Sequence, residues 1–239
     1  IKKESFLLKK QHSVMSHKPL YDITPFTALD YQDHLAAIFW FAKCQMQCVY
    51  CYNRDIVFSD GKISQEEALL FLNNRQGLLE GVVLSGGEAT LYGELVEFCK
   101  QIKQLNFKIK LDTNGLNPKM VSALVENDLV DYIALDYKAP KQKFQSITKN
   151  KHFDFFSETL EYLIKKEFPF EVRTTVHSDL LQAEDINQII KDLLKKGYKN
   201  TYYLQKFIYT PDTIGKVKEQ KQLFDVSKLS DDLKIIWRG

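Results

Sequence analysis

Short apolar runs alternate with longer amphipathic segments along this chain, and this alternation limits the possible folds more than any other feature. Six runs of four to eight residues, rich in Val, Ile, Phe, Tyr or Leu, are typical of buried parallel strands: 35–42, 81–84, 108–112, 131–136, 170–176 and 201–208. Parallel neighbours need crossover connections, usually helices, so the sequence predicts an α/β fold. Right-handed crossovers leave either an open doubly wound sheet or a barrel, and six units are fewer than the eight of a complete barrel.

The segments between these runs contain recognisable helix ends. Ser64 and Glu67 have the spacing of a capping box, and Asn117 followed by Pro118 is typical of a helix start. Gly197 stands where a helix would end. The sequence therefore predicts a helix after most of the strands.

No change of composition or low-complexity linker divides the 239 residues. We expect a flexible N-terminal segment at 1–20 and a single domain over 21–239. Residues before Leu35 should add an edge strand or hairpin, and the tail after Tyr209 should pack across one opening of the sheet.

Charge and hydropathy argue against two classes of partner. Lys plus Arg number 33 and Asp plus Glu 31, and only four of the basic residues are Arg, so we expect no nucleic-acid binding. No apolar run reaches the roughly 18 residues of a membrane helix. Three of the four cysteines crowd into 44–51 while Cys99 lies alone on an apolar helix face, which favours a reduced, cytoplasmic protein over a disulfide-bonded one.

Polar side chains recur where the predicted strands end. The carboxyl ends of parallel strands meet at one edge of a sheet or one mouth of a barrel, where such folds place their active sites. In chain order these groups are Cys44, Cys48 and Cys51; Ser85 to Glu88; Asp112 to Gly115; Asp136 to Lys138; Arg173 and His177; and Gln205 with Lys206.

The spacing Cys44-x3-Cys48-x2-Cys51 lets three thiolates converge from one loop. Structural zinc takes four ligands, so a zinc site here would need His34, His177 or water to complete it. Soft thiolates also bind iron-sulfur clusters, and a four-iron cluster held by three cysteines leaves one iron open for chemistry.

With an aromatic residue, Tyr50, before the last cysteine, this motif resembles the CxxxCxxC motif of the radical S-adenosylmethionine (SAM) superfamily. The resemblance covers most of 35–208 and implies a partial (β/α)6 barrel. It also implies a 4Fe-4S cluster held by Cys44, Cys48 and Cys51, with SAM bound at the open iron. Superfamily members cleave SAM reductively to methionine and a 5'-deoxyadenosyl radical that abstracts hydrogen.

The same resemblance implies which residues hold the cofactor. Gly86 and Gly87 would let the backbone approach the methionine moiety, and Glu88 would accept a hydrogen bond from its ammonium group. Tyr50 would lie beside the adenine. Arg173 would pair with the SAM carboxylate, because a guanidinium on a buried strand needs an anionic partner.

Two further pairs resemble the glycyl-radical-enzyme activases. Asp112 with Thr113, and Asp136 with Lys138, match residues that in the pyruvate formate-lyase activating enzyme bind a monovalent cation beside the SAM carboxylate. The resemblance therefore implies that a monovalent cation can bind here. His177 we expect to be a neutral, hydrogen-bonded histidine at a strand end.

The front segment 21–31 and Asn53 after the cysteines resemble the anaerobic ribonucleoside-triphosphate reductase activating proteins. Lys43, Val49, Tyr52 and Ala89 depart from that family's usual residues. The resemblance implies an oxidoreductase of anaerobic metabolism that makes a glycyl radical on a partner enzyme, with a flavodoxin- or ferredoxin-type electron donor. One alternative is a small-molecule enzyme related to 7-carboxy-7-deazaguanine synthase. Another, from a different class, is a non-catalytic zinc or redox binding module.

Overall fold

A computed structural model describes residues 18–238 and shows an eight-stranded sheet whose strands follow the order of the chain. The strands are β1 (Leu20–Thr27), β2 (Ala36–Phe41), β3 (Gly81–Gly86), β4 (Lys108–Thr113), β5 (Tyr132–Asp136), β6 (Phe170–Val176), β7 (Tyr202–Lys206) and β8 (Ile235–Arg238). β1 pairs antiparallel with β2, and every later pair is parallel.

Helices connect the parallel strands from β2 to β7. They are α1 (Arg54–Phe58), α2 (Gln65–Asn73), α3 (Leu95–Gln104), α4 (Pro118–Glu126), α5 (Lys141–Thr148), α6 (Phe153–Lys165) and α7 (Ala183–Lys195), with 3-10 turns at Ala89–Leu91 and Val226–Lys228.

The prediction of an α/β fold with a mainly parallel sheet is confirmed. The six predicted strands correspond to β2 through β7, and the segment before Leu35 supplies β1 as an edge strand. The tail differs from the expectation, because its end forms β8 beside β7 and lengthens the sheet. α5 was also not predicted, since Phe144 and Ile147 are its only large apolar residues.

Local sequence signals fix several helix ends as expected. Ser64 accepts a hydrogen bond from the Glu67 amide, and the Glu67 carboxylate accepts one from the Ser64 amide, so the capping box at α2 is complete. Asn117 caps α4 through the Met120 amide, with Pro118 in the first turn. Gly197, at a φ of +89°, follows α7 in the left-handed conformation that favours glycine.

The two faces of the sheet have different chemistry. Side chains that point outward, such as Phe39 and Leu84, are fully buried against the helices, and Phe39 stacks on Phe98 of α3. The opposite face surrounds one cavity, whose lining runs from Ile38 on β2 to Arg238 on β8. The sheet therefore curves around this cavity as an open partial barrel.

Two sequence predictions concern the ends of the chain. The flexible segment expected at 1–20 falls mainly on residues 1–17, which lie outside the described residues. The prediction of one domain over 21–239 stays a prediction.

Within 18–238, every helix is too short or too polar to cross a lipid bilayer.

Candidate active site

A cavity of about 360 Å³ opens at the carboxyl ends of the parallel strands. All twelve residues that the sequence nominated as cluster or cofactor contacts line it: Cys44, Cys48, Tyr50, Cys51, Gly86, Gly87, Glu88, Asp112, Thr113, Asp136, Lys138 and Arg173. The size is that of a small-molecule site. The structure therefore brings together the polar groups that follow the parallel strands, as the rule for such sheets predicts.

The cysteine loop after β2 is held from one side by the end of α5. The amides of Gln47 and Val49 donate to the carbonyls of Thr148 and Ile147, each at 2.9 Å. Asn150 adds a side-chain hydrogen bond to the Gln45 carbonyl at 3.1 Å. A helix that the sequence did not predict thus positions the loop that carries the motif.

The C-terminal tail holds the same loop from the other side. The amides of Ile214 and Gly215 donate to the carbonyls of Cys51 and Val49, each at 2.9 Å. A β-carbon on Gly215 would come within 2.6 Å of the Val49 side chain. Only glycine fits this close approach of two backbones.

The three thiols of the loop are free and largely shielded from solvent. Burial raises the pKa of Cys48 to about 12, and it also raises the pKa values of Cys44 and Cys51. Such thiols are neutral until a metal displaces their protons. Within residues 18–238, no three or more His, Cys, Asp or Glu side chains form a group that could hold a metal ion.

Gly86 and Gly87 end β3 next to the start of the cysteine loop. Gly86 has a φ of +113°, and a β-carbon there would come within 2.4 Å of the Phe41 amide nitrogen. A β-carbon on Gly87 would come within 2.0 Å of the Lys43 carbonyl oxygen. The two glycines therefore allow β3 to pack closely against the segment that leads into the cysteines. The sequence did not predict this role.

Glu88 is 2% exposed, and its carboxylate accepts four hydrogen bonds from the chain. Two come from the amide and hydroxyl of Thr90, one from the Thr113 hydroxyl and one from the Asn114 amide. Burial raises the pKa of Glu88, and the hydrogen bonds oppose this shift. The carboxylate thus ties the end of β3 to the end of β4: Oε1 accepts three of these bonds, and Oε2 accepts one, from the Asn114 amide.

Arg173 lies between two carboxylates that come from neighbouring strands. Its Nε donates to Oδ1 of Asp136 at 2.5 Å, and its Nη2 lies 3.2 Å from Oδ2 of Asp112. Lys138 Nζ donates to Oδ2 of Asp136 at 2.9 Å. Burial alone would raise the pKa of Asp136, but Arg173 and Lys138 lower it to about 2, so this carboxylate is ionised throughout the neutral range.

Several polar residues in the barrel escaped the sequence analysis. Lys110 pairs with Asp112 on the same strand, β4. Glu171 forms a two-point ion pair with Arg238 at 2.8 and 2.9 Å. The Arg238 guanidinium also lies 3.5 Å from the centre of the Tyr203 ring. In the sequence these polar residues alternate with apolar ones along the strands. This alternation does not show that they line a cavity, because it is also typical of a strand with one face in water.

Tyr50 and His177 differ in their hydrogen bonding. The Tyr50 hydroxyl is buried and has no hydrogen-bond partner among the described residues, so it is free to donate to a bound molecule. His177 Nε2 lies 2.9 Å from the Lys218 carbonyl, and its Nδ1 accepts from the Asp179 amide. His177 is therefore hydrogen-bonded through both ring nitrogens at the end of β6.

The sequence of this chain is similar to those of known proteins. The model of the Radical SAM superfamily matches residues 38–193. A protein of Methanocaldococcus jannaschii that carries the name of a glycyl-radical enzyme activating enzyme is 30% identical over 176 residues, covering 71% of this chain and 72% of that protein. The pyruvate formate-lyase 1-activating enzyme of Escherichia coli K12 is 28% identical over 156 residues, covering 58% of this chain and 60% of the enzyme.

Solved structures show the same fold. The crystal structure of Streptococcus suis SuiB bound to S-adenosylmethionine matches 84% of this chain and 52% of its own, with a TM-score of 0.62 and 13% sequence identity. At that identity the likeness concerns the fold alone, and the chain spans about half the length of SuiB.

Proposed function

Because this chain belongs to the radical SAM superfamily, we propose that it activates a glycyl radical enzyme, such as an anaerobic ribonucleotide reductase. The observation that carries the activase assignment is the 30% identity to a protein named as a glycyl-radical enzyme activating enzyme, over 72% of that protein's length. The cavity with its three free thiols and buried cations supports it.

The donor set fits a 4Fe-4S cluster. Cys44, Cys48 and Cys51 come from one loop, and three thiolates bind three of four irons. The bound cluster and SAM together supply a 5'-deoxyadenosyl radical able to abstract hydrogen from a glycine. The chain's own part is to bind, orient and shield these groups.

The other cavity residues fit a zwitterionic cofactor. Arg173 and Lys138 have donors that can receive a carboxylate, and Asp136 holds both cations in place. Tyr50 would offer the adenosine its ring and a hydroxyl that has no hydrogen-bond partner within residues 18–238. We assign Glu88 as an acceptor for the SAM ammonium group through Oε2, which accepts one hydrogen bond from the chain, while its other bonds to Thr90 and Thr113 hold the carboxylate in place.

The mouth of the cavity favours a macromolecular substrate over a small molecule. Tyr52 and Ile208 line it with 59% and 68% of their surface exposed. An enzyme for a small substrate would enclose that substrate in a polar pocket, whereas exposed aromatic and aliphatic rims are typical of protein interfaces. The small-molecule alternative therefore ranks second.

The proposal includes a cytoplasmic location, anaerobic operation and a flavodoxin- or ferredoxin-type electron donor. These three properties are inferred from the sequence and its resemblance to the activases. The assignment of 21–239 as a single domain is likewise inferred from the sequence.

The proposal is tested by anaerobic reconstitution and incubation with the partner enzyme, SAM and a reductant. We expect a glycyl doublet in the electron paramagnetic resonance spectrum of the partner and 5'-deoxyadenosine in the product mixture. Formation of 5'-deoxyadenosine without a radical on any candidate glycyl radical enzyme would favour the small-molecule alternative. One tightly bound zinc and no SAM cleavage would contradict the enzyme assignment.

A further inference from the structure

Strand β4 carries a buried cation, Lys110, that the proposed function does not use. Lys110 is only 6% exposed. Its Nζ donates to the Asp30 carbonyl at 2.6 Å and lies 3.1 Å from Oδ1 of Asp112. A buried ammonium is costly unless it is paired, so these two contacts call for an explanation.

Lys110 is one end of a continuous series of ion pairs. The series runs from Lys110 to Asp112 at 3.1 Å, to Arg173 at 3.2 Å, to Asp136 at 2.5 Å and to Lys138 at 2.9 Å. Charges alternate along it, and three cations with two carboxylates leave one net positive charge. Such a series is complementary to one further carboxylate.

The residues that could hold a monovalent metal cation are already engaged by the chain. Asp112 has Lys110 at Oδ1, and Arg173 and Ser85 at Oδ2. The contact of Lys110 with Oδ1 is electrostatic and lacks hydrogen-bond geometry. Every carboxylate oxygen of Asp112 nevertheless faces a cationic partner.

The other two expected ligands are engaged as well. Both oxygens of Asp136 pair with Arg173 or Lys138. The Thr113 hydroxyl donates to Glu88 at 2.8 Å and accepts from the Gly115 amide at 3.1 Å. The arrangement therefore does not fit a monovalent metal cation at this place.

We propose that the Lys110 ammonium takes the place of a bound monovalent cation, so that SAM binding in this protein is independent of Na⁺ and K⁺. The inference rests on the SAM site of the proposed function and makes Lys110 a positioning residue. It acts through Asp112, whose carboxylate it neutralises and holds against Arg173. The SAM carboxylate then meets an ion-pair series with one net positive charge, and the charges of the series and the carboxylate balance when it binds.

Without Lys110 the remaining series is neutral, and the incoming carboxylate leaves one uncompensated negative charge. A small metal cation entering the vacated space would restore the balance, whereas a bulky organic cation would not fit. Loss of Lys110 should therefore create a dependence on K⁺ or Na⁺ that the natural protein lacks.

The test compares SAM affinity in potassium chloride and in choline chloride at equal ionic strength, using the anaerobically reconstituted protein. The natural protein should bind SAM equally in both salts. Lys110→Met should bind about tenfold more weakly in choline, the loss expected for one charge-assisted interaction, and recover in potassium. Lys108→Met, on the exposed end of the same strand, is the matched control and should resemble the natural protein.

Lys110→Arg keeps the charge and should bind SAM equally in both salts, which separates loss of charge from disturbed folding. A natural protein that needs K⁺, or a Lys110→Met protein equally weak in both salts, would overturn the inference. Failure of the natural protein to bind SAM in any salt would instead contradict the proposed function.

Discussion

The two faces of the sheet are built from alternate residues of the same strands, yet they are held together in different ways. On β6, Val172 points outward and is fully buried among apolar side chains. Its neighbour Arg173 points inward and touches Asp112 and Asp136. Outward packing depends on volume, whereas the inward contacts depend on particular partners.

This difference determines how each face responds to substitution. Apolar packing tolerates exchange of one hydrophobic residue for another when volume is kept. A buried charge without its partner costs about 3 to 5 kcal/mol. Changes to the outer face should therefore lower stability and spare cofactor binding, and changes to the inner face should affect cofactor binding most.

The largest expected effect separates the loop cysteines from Cys99. Replacing Cys44, Cys48 or Cys51 by Ala should abolish the cluster, because each removes one of three thiolate ligands. Cys99 is fully buried on α3 behind the outer face, so Cys99→Ala should keep about four irons per chain and lose about 1 kcal/mol of stability. Iron analysis and the absorbance near 400 nm measure the difference. Loss of the cluster in Cys99→Ala alone would reverse the ligand assignment.

A smaller but sharper contrast lies on adjacent residues of β6. Arg173→Met should weaken SAM binding by about 10- to 100-fold, because it removes a charged donor and leaves two carboxylates without their shared cation. Val172→Ala should lower the free energy of unfolding by about 1 to 3 kcal/mol and leave SAM affinity unchanged. SAM titration and denaturant unfolding give the two quantities. Equal loss of affinity in both variants would show that the two faces are not independent.

The sequence revealed the outer face and the rim of the cavity better than the interior of the barrel. Periodicity located β2 through β7, and the convergence of strand ends located the polar residues at the mouth. Lys110 and Glu171 were missed because their partners are distant in sequence: Asp30 is 80 residues from Lys110, and Arg238 is 67 residues from Glu171. Alternation alone cannot tell a strand that faces a charged cavity from one that faces water.

The supports of the cysteine loop were missed for another reason. Four of them are backbone hydrogen bonds, from Gln47, Val49, Ile214 and Gly215, and a backbone amide has no side-chain signature. A fifth comes from the Asn150 side chain, whose acceptor Gln45 is 105 residues away in sequence. Gly215 allows the close approach of the tail to Val49, since a β-carbon there would have no room, but a single glycine in a loop does not indicate its neighbour.

Replacing Gly215 should give the smallest of the predicted effects. It tests the contact between the C-terminal tail and the cysteine loop after β2. Gly215→Ala would place a β-carbon within 2.6 Å of Val49, so the tail must move away and its hydrogen bonds to the loop must lengthen. We expect a loss of about 1 to 3 kcal/mol in stability, the range for overpacking, together with faster loss of iron on exposure to a chelator.

Gly93→Ala is the matched control, because a β-carbon there meets nothing within 4 Å. It should retain the stability and iron-release rate of the natural protein. Chelator-induced iron release, followed by absorbance for both variants, distinguishes a specific role of the tail from a general effect of replacing glycine. If Gly215→Ala released iron no faster than Gly93→Ala, the tail would be packed against the loop without stabilising the cluster.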